Sequence, residues 1–220
     1  MIRFWSLFYR GDWGTLEQIA QGLLSRAQSS GNIQQEIWAL RCKSIFALHA
    51  DRPREAIEIL RLITSETLGS ADLAATVSSK GLLALALSRV GLNDESLQAA
   101  DETLQMLRGM RRPTSHSTLV GISGVCEILL RGRETGLSRE YDQSSQWESQ
   151  ALYELKRYSE VFPVGIPQYG LWTGVSFWLD GRMKQALLTW KQALSDAHHL
   201  SLRHDEAMIA AEMRRRQDRL

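Results

Sequence analysis

Tyr9-Arg10-Gly11-Asp12-Trp13 breaks two apolar helical stretches with a glycine and an acid. The same punctuation returns 40 residues later as His49-Ala50-Asp51-Arg52-Pro53, and 40 after that as Arg89-Val90-Gly91-Leu92-Asn93. A fourth equivalent, Leu179-Asp180-Gly181-Arg182-Met183, stands 90 residues beyond the third, which is one more period ending near Arg131 and a second lengthened by ten. A unit of two helices repeated at this interval predicts a solenoid, an architecture built for contact more than for catalysis.

The register between the breaks supports the same reading. Nine residues before each break stand Ile2, Cys42, Leu82, Ile122 and Trp172; six before stand Trp5, Ile45, Leu85, Val125 and Val175. None carries a charge, and the i, i+3 spacing draws one apolar stripe along the first helix of every unit. Five residues after the break come Leu16, Ala56, Ser96 and Ala186, and eight after come Ile19, Ile59, Ala99 and Thr189. Small side chains there let the second helix cross closely over the first.

The boundaries follow from these breaks. The expected pairs span about 1–29, 33–66, 71–109, 117–161 and 167–199, with a polar capping helix at 203–218, as one array over residues 1–220. Pro53 suits a first helical turn, where a missing amide costs nothing, and Asn93-Asp94 offers N-cap chemistry after Gly91. A polar loop from Gly132 to Ser144 delays the second helix of the fourth pair. The first ten residues read as the back half of a helix, with Ile2, Phe4, Trp5 and Phe8 facing nothing on their N-terminal side. The N-terminal end is therefore expected to be truncated and uncapped, with self-association through that face as one consequence.

Composition limits the function classes. With 220 residues, 44% of them apolar and 23% charged, the chain has the makings of an ordinary buried core. A net charge of +1 exerts no long-range pull on nucleic acid or anionic lipid, so neither partner is expected. Cys42 and Cys126 lie on apolar helix faces and read as buried thiols, which points to a reducing cytoplasm. The start lacks a signal-peptide pattern, and no stretch approaches the roughly 20 apolar residues of a membrane span.

The chemistry-bearing side chains are scattered. His198, His199, His204, Asp205 and Glu206 lack the i, i+4 spacing that puts metal ligands on one helix face, and read as surface residues. Cys126 and His116 sit ten residues apart, about 15 Å along one helix, too far for a thiolate pair. Gly121 and Gly124 follow no strand and precede no Gly-Lys-Ser/Thr, so they suit close helix packing better than a phosphate loop. Trp5, Trp172, Trp178 and Trp190 fall on or beside the core stripes. Trp38 and Trp147 are less constrained, and with Tyr169 they are the residues expected to contact a protein partner. The basic runs Arg108, Arg111, Arg112 and Arg214 to Arg216 read as a solvated turn and a solvated tail. No cofactor and no metal are implied.

Two segments narrow the family. Arg112-Pro113-Thr114-Ser115-His116-Ser117-Thr118-Leu119 with Gly121, Gly124 and Val125 is one. Phe162-Pro163-Val164-Gly165-Ile166-Pro167 with Leu171-Trp172, Gly174, Trp178-Leu179, Gly181-Arg182, Ala186, Trp190 and Ala193-Leu194 is the other. Over about residues 10–210 the chain resembles the tetratricopeptide-like C-terminal repeats of multidomain bacterial signalling proteins. In those proteins a class III adenylate/guanylate cyclase or kinase domain precedes an AAA-type ATPase module and then the helical repeats. The resemblance implies an all-α, right-handed α-solenoid of tetratricopeptide-like helix pairs, about 40 residues per repeat. It carries packing and turn residues only. Neither the metal-binding carboxylates of a cyclase nor a Walker A loop is present in these 220 residues, so any such activity belongs to upstream sequence.

The expected function is accordingly non-catalytic: a regulatory or protein-interaction module whose partner is another protein or a neighbouring domain of the same polypeptide. Three alternatives remain open at this point. A basic recognition helix beyond residue 220 would indicate the repeat region of a transcriptional activator. A convergent acid, base and nucleophile from different repeats would indicate an enzyme. A freestanding adaptor differs from the main reading only in gene boundaries.

Overall fold

The protein's computed structural model describes residues 2–64, 72–136 and 144–218, and among these it is all-α. The helices are α1 (Ile2–Arg10), α2 (Trp13–Ser30), α3 (Ile33–His49), α4 (Pro53–Thr64), α5 (Leu73–Arg89) and α6 (Asn93–Gly109). They continue with α7 (Thr118–Thr135), α8 (Ser144–Val161), α9 (Ile166–Leu179), α10 (Met183–His199) and α11 (Arg203–Gln217), with a 3-10 turn at Pro163–Gly165 before α9. No described helix is long and apolar enough to cross a membrane.

The turns share one chemistry. Gly11, Gly31, Asp51, Gly91, Gly181 and Ser201 all hold positive φ between 56° and 78°. In each case the next residue's amide reaches back five residues: Asp12 to Leu7, Asn32 to Ala27, Arg52 to Ala47, Leu92 to Leu87, Arg182 to Phe177 and Leu202 to Ala197. This is the Schellman closure, which satisfies the last carbonyls of one helix while turning the chain into the next. Gly31 and Ser201, between units in the expected scheme, use the same device as the breaks within them. Near Arg131 the expected break does not occur: α7 runs on to Thr135, and the left-handed residue is Gly136.

Caps are divided between side chain and backbone. Asp12, Asn32 and Asp72 accept amide hydrogen bonds from Thr15, Gln35 and Ala74 with Ala75. Asn93-Asp94 does not cap: Leu92 holds the N-cap position without a side-chain bond, and Asn93 is already helical. Pro53 does open α4.

By its contacts the chain divides into two compact units, Met1–Phe8 with Asp12–Ile128, and Tyr9–Gly11 with Leu129–Leu220. In the first, α2 through α6 pack each on the next, and α3 also meets α5. The stripe residues Cys42, Ile45, Leu82, Leu85, Ile122 and Val125 are buried, as are Leu16, Ala56 and Ser96 on the crossing helices. Ser96 lies close enough for its Oγ to donate 2.8 Å to the carbonyl of Ala84 in α5. Phe4, Trp5 and Phe8 are buried, whereas Ile2 is 88% exposed, so the expectation that all four lack cover holds only for Ile2. Helices α5 and α7 touch backbone to backbone at Gly81 and Gly121, and the Ser78 hydroxyl donates 2.9 Å to the carbonyl of Ser117.

In the second unit, α8, α9, α10 and α11 pack in sequence. Trp172, Val175, Ala186 and Trp190 are buried, with the indole of Trp190 resting on Gly174 and donating 3.0 Å to the carbonyl of Leu171. Trp178 is half-buried. Of the basic tail, Arg214 is exposed as expected, but its two neighbours are not. Arg216 is buried and Arg215 half-buried, and both pair with Glu134 and Glu212, while Arg131 bonds Glu212 at 2.6 Å and Glu134 at 3.2 Å. Of the expected 132–144 loop, residues 132–135 belong to α7, and 137–143 lie outside the described residues.

Candidate functional site

Helix α2 places Ile19, Leu23 and Arg26 on one face by i, i+4, i+7 spacing. Gln35 and Trp38, three apart near the start of α3, flank that face on one side, and Arg3 of α1 flanks it on the other. Together the six side chains line a cleft of about 580 Å³ within the first unit. Ile19, Leu23 and Trp38 are half-buried and form its floor; Arg3, Arg26 and Gln35 are exposed and form its rim.

The rim is cationic. Neither Arg3 nor Arg26 makes an ion pair with the described residues, and the lining includes no acid. Arg26 spends only its Nε, which donates 3.1 Å to the carbonyl of Gly22, leaving the guanidinium anchored. The nearby carboxylate of Glu36 accepts from the Gln28 amide at 3.4 Å instead. An apolar floor with an indole, framed by guanidinium groups, can hold an aliphatic or aromatic side chain and a carboxylate together.

No protein-family model, curated protein or solved structure matches the chain.

Of the three expected contact residues, only Trp38 lines this cleft. Trp147 on α8 and Tyr169 on α9 are half-buried in the second unit, so the three do not form one site in the first. Arg111 and Arg112 line a second cleft of about 560 Å³ with Asp72 and Thr114, where the Asp72 carboxylate caps α5.

The remaining candidates are placed as follows. His198 is exposed, 3.4 Å from Glu206, and among the described residues no group of three His, Cys, Asp or Glu side chains could hold a metal ion. Asp205, expected at the surface, is instead buried. His116 precedes α7, which starts at Thr118, so it does not share a helix with Cys126; its ring packs edge-on to Trp5 at 5.2 Å. Burial, together with the charge of Arg41, lowers the His116 pKa. Burial pushes the Cys42 thiol up to about 12, which keeps it protonated and unreactive.

Sequence reasoning missed two features. Leu23 and Arg26 complete the Trp38 cleft, and the signal was the 19, 23, 26 spacing on α2. Arg41 is buried at 2% exposure, its charge disfavoured by desolvation. Its register counterparts, Gly81 and Gly121, are glycines at a helix crossing, so an arginine there stood out in the sequence.

Proposed function

We propose that this chain is a non-catalytic protein-interaction module: a right-handed α-solenoid of tetratricopeptide-like pairs, about 40 residues per repeat, serving as the regulatory tail of a bacterial signalling ATPase or cyclase. The observation that carries the interaction role is the cleft of Arg3, Ile19, Leu23, Arg26, Gln35 and Trp38. It combines partly exposed apolar surface, an indole and guanidinium groups that make no ion pair among the described residues, the composition enriched at protein-binding surfaces. The solenoid reading rests on the 40-residue register and on the recurring Schellman turns at 11, 51, 91 and 181. The signalling context rests on the resemblance of the 112–125 and 162–194 segments.

The test is selection of a displayed random-peptide library on the immobilised chain, followed by hydrogen-exchange mapping of the winners. Enrichment of peptides that slow exchange in residues 19–26 and 35–38 is the expected result. A library that yields no binder, or binders that protect neither segment, overturns the reading of this cleft as the binding surface.

A further inference from the structure

Arg41 is a cation buried in α3 whose Nε and Nη1 have no hydrogen-bond partner, and it makes no ion pair among the described residues. Desolvation disfavours its charge, while nearby Cys42 and Asp72 oppose that loss. A guanidinium keeps its proton even so, and a charge inside a protein is screened far less than one in water. Asp72, which feels that charge, also lines the cleft between the start of α5 and the connection from α6 to α7. Leu73, Met110, Arg111, Arg112 and Thr114 line it too, all within the first unit.

The charges of this site do not balance. Arg111 and Arg112 line the cleft against the single carboxylate of Asp72, which already accepts the amides of Ala74 and Ala75 as the cap of α5. Arg112 is exposed and makes no ion pair among the described residues. Counting Arg41, three guanidinium groups stand against one carboxylate. Burial and the charge of Arg41 lower the pKa of neighbouring His116, so that imidazole adds no charge at neutral pH. Beside the charges lies apolar surface, with Leu73 44% exposed and Met110 buried. The cleft's volume of about 560 Å³ falls within the range of small-molecule sites, roughly 300–1,000 Å³.

We propose that this cleft binds a phosphate monoester with an apolar or aromatic body. Arg111, Arg112 and the Thr114 hydroxyl hold the phosphoryl oxygens, and the organic part rests on Leu73 and Met110. Magnitude decides the anion. A carboxylate or a sulfate ester brings one negative charge and leaves the surplus half met, whereas a phosphate monoester brings about −1.5 to −2 at pH 7. Guanidinium forks also match phosphoryl oxygens two bonds at a time. Arg41 acts on the ligand through its charge rather than by contact. The site goes beyond the interaction reading above and does not depend on the cleft around Trp38.

The experiment is amide NMR titration of the full chain, near neutral pH and at fixed ionic strength, with phenyl phosphate, phenyl sulfate and inorganic phosphate. Phenyl phosphate is expected to saturate and to shift amides in 72–74 and 110–116. Its affinity is expected to exceed, by about tenfold or more, that of phenyl sulfate, which has its shape but about half its charge. The same margin is expected over inorganic phosphate, which lacks the ring. Arg112→Ala, at an exposed position, is expected to weaken phenyl phosphate about tenfold, and Arg41→Met several-fold without moving the set of shifted amides. Equal binding of phenyl sulfate overturns the proposal, as does equal binding of inorganic phosphate, which would make this a site for an adventitious ion only. No saturation by about 10 mM, shifts confined to other segments, or unchanged affinity in either folded variant also overturns it. Should Arg41→Met fail to fold, Arg112→Ala and the ligand series decide. Library peptides that protect residues 19–38 leave these outcomes untouched, so the two readings fail separately.

Discussion

The side-chain amide of Gln168 donates a 2.8 Å hydrogen bond to Oδ1 of Asp205, inside the second unit where Asp205 is 1% exposed. Oδ2 of Asp205 and Oε1 of Gln168 are also buried, and neither has a hydrogen-bond partner among the described residues. A carboxylate and an amide leave those two acceptors orphaned; a carboxylic acid can close a second bond, its O–H donating to the amide oxygen.

Burial raises the Asp205 carboxyl to about 7, although the Gln168 bond opposes the rise. Nearby Tyr9, itself pushed upward by burial and by the charge of Asp205, gives the anion no cationic help. The folded protein thus holds a proton that the unfolded chain releases above the ordinary value of 3.8. The contribution is full below 3.8 and is lost as pH rises toward 7, at up to about 1.4 kcal/mol per pH unit. Asp205→Asn preserves shape and supplies the missing donor. Urea denaturation near pH 5 and near pH 8 should show wild type losing stability over that interval and the variant losing far less, with the variant ahead by about 2–4 kcal/mol at the higher pH. Parallel pH profiles would refute a protonated Asp205.

Why the sequence concealed Asp205 is instructive. Helix periodicity marks apolar faces, and an acid between His204 and Glu206 reads as solvated surface. What buries it is Gln168, thirty-seven residues earlier on α9, and no local pattern reports that pairing. The stripe at 42, 45, 82, 85, 122 and 125 was legible because each member packs against neighbouring helices at a fixed phase. The Trp38 cleft was half legible: the indole stood out, whereas Leu23 and Arg26 join it only through their spacing on α2. The tail was misread for the same reason as Asp205, since Arg216 is buried by Glu134, eighty-two residues away.

That charge cluster should govern the acid limb. Burial alone would raise Glu134 and Glu212, but hydrogen bonds and charges from Arg131, Arg215 and Arg216 outweigh it and hold both at about 2. Depressed carboxyls stabilise fully above 4.5, and that stability is lost as pH falls through 2. Glu212→Gln leaves buried Arg216 with an incomplete set of partners, and is expected to cost about 3 kcal/mol near neutral pH. It should also flatten the acid transition followed by circular dichroism. A loss under about 0.5 kcal/mol would mean that the network contributes no more than a surface pair.

Two of the six left-handed residues that close Schellman turns carry a side chain where the others are glycine. Asp51 has φ 56° and Ser201 φ 58°, and neither needs its side chain for the Schellman bonds that close its turn. L-residues pay roughly 1–2 kcal/mol in that region, partly offset by the extra unfolded-state freedom of glycine. Asp51→Gly and Ser201→Gly should therefore each stabilise by about 0.5–1 kcal/mol in thermal melts. Destabilisation by either would show that its side chain supports the turn.

A glycine at a helix crossing should behave in the opposite way to a glycine in an open helix, and this chain offers both. A Cβ on Gly121 would lie 2.7 Å from the carbonyl oxygen of Val77 and 2.9 Å from Cα of Ser78. Both are backbone atoms of α5, so relief requires the helices to separate and would strain the neighbouring Ser78–Ser117 bond. Gly22, inside α2, would bring a Cβ no closer than 4.0 Å to the tip of Arg26, a flexible group. Gly22→Ala should stabilise by up to about 1 kcal/mol through helix propensity alone. Gly121→Ala gains the same propensity but forces the crossing apart, with an expected net loss of about 1–3 kcal/mol. Denaturation curves with unchanged slopes would isolate the effect in the folded state. If both substitutions stabilise, α5 and α7 do not meet backbone to backbone at Gly121.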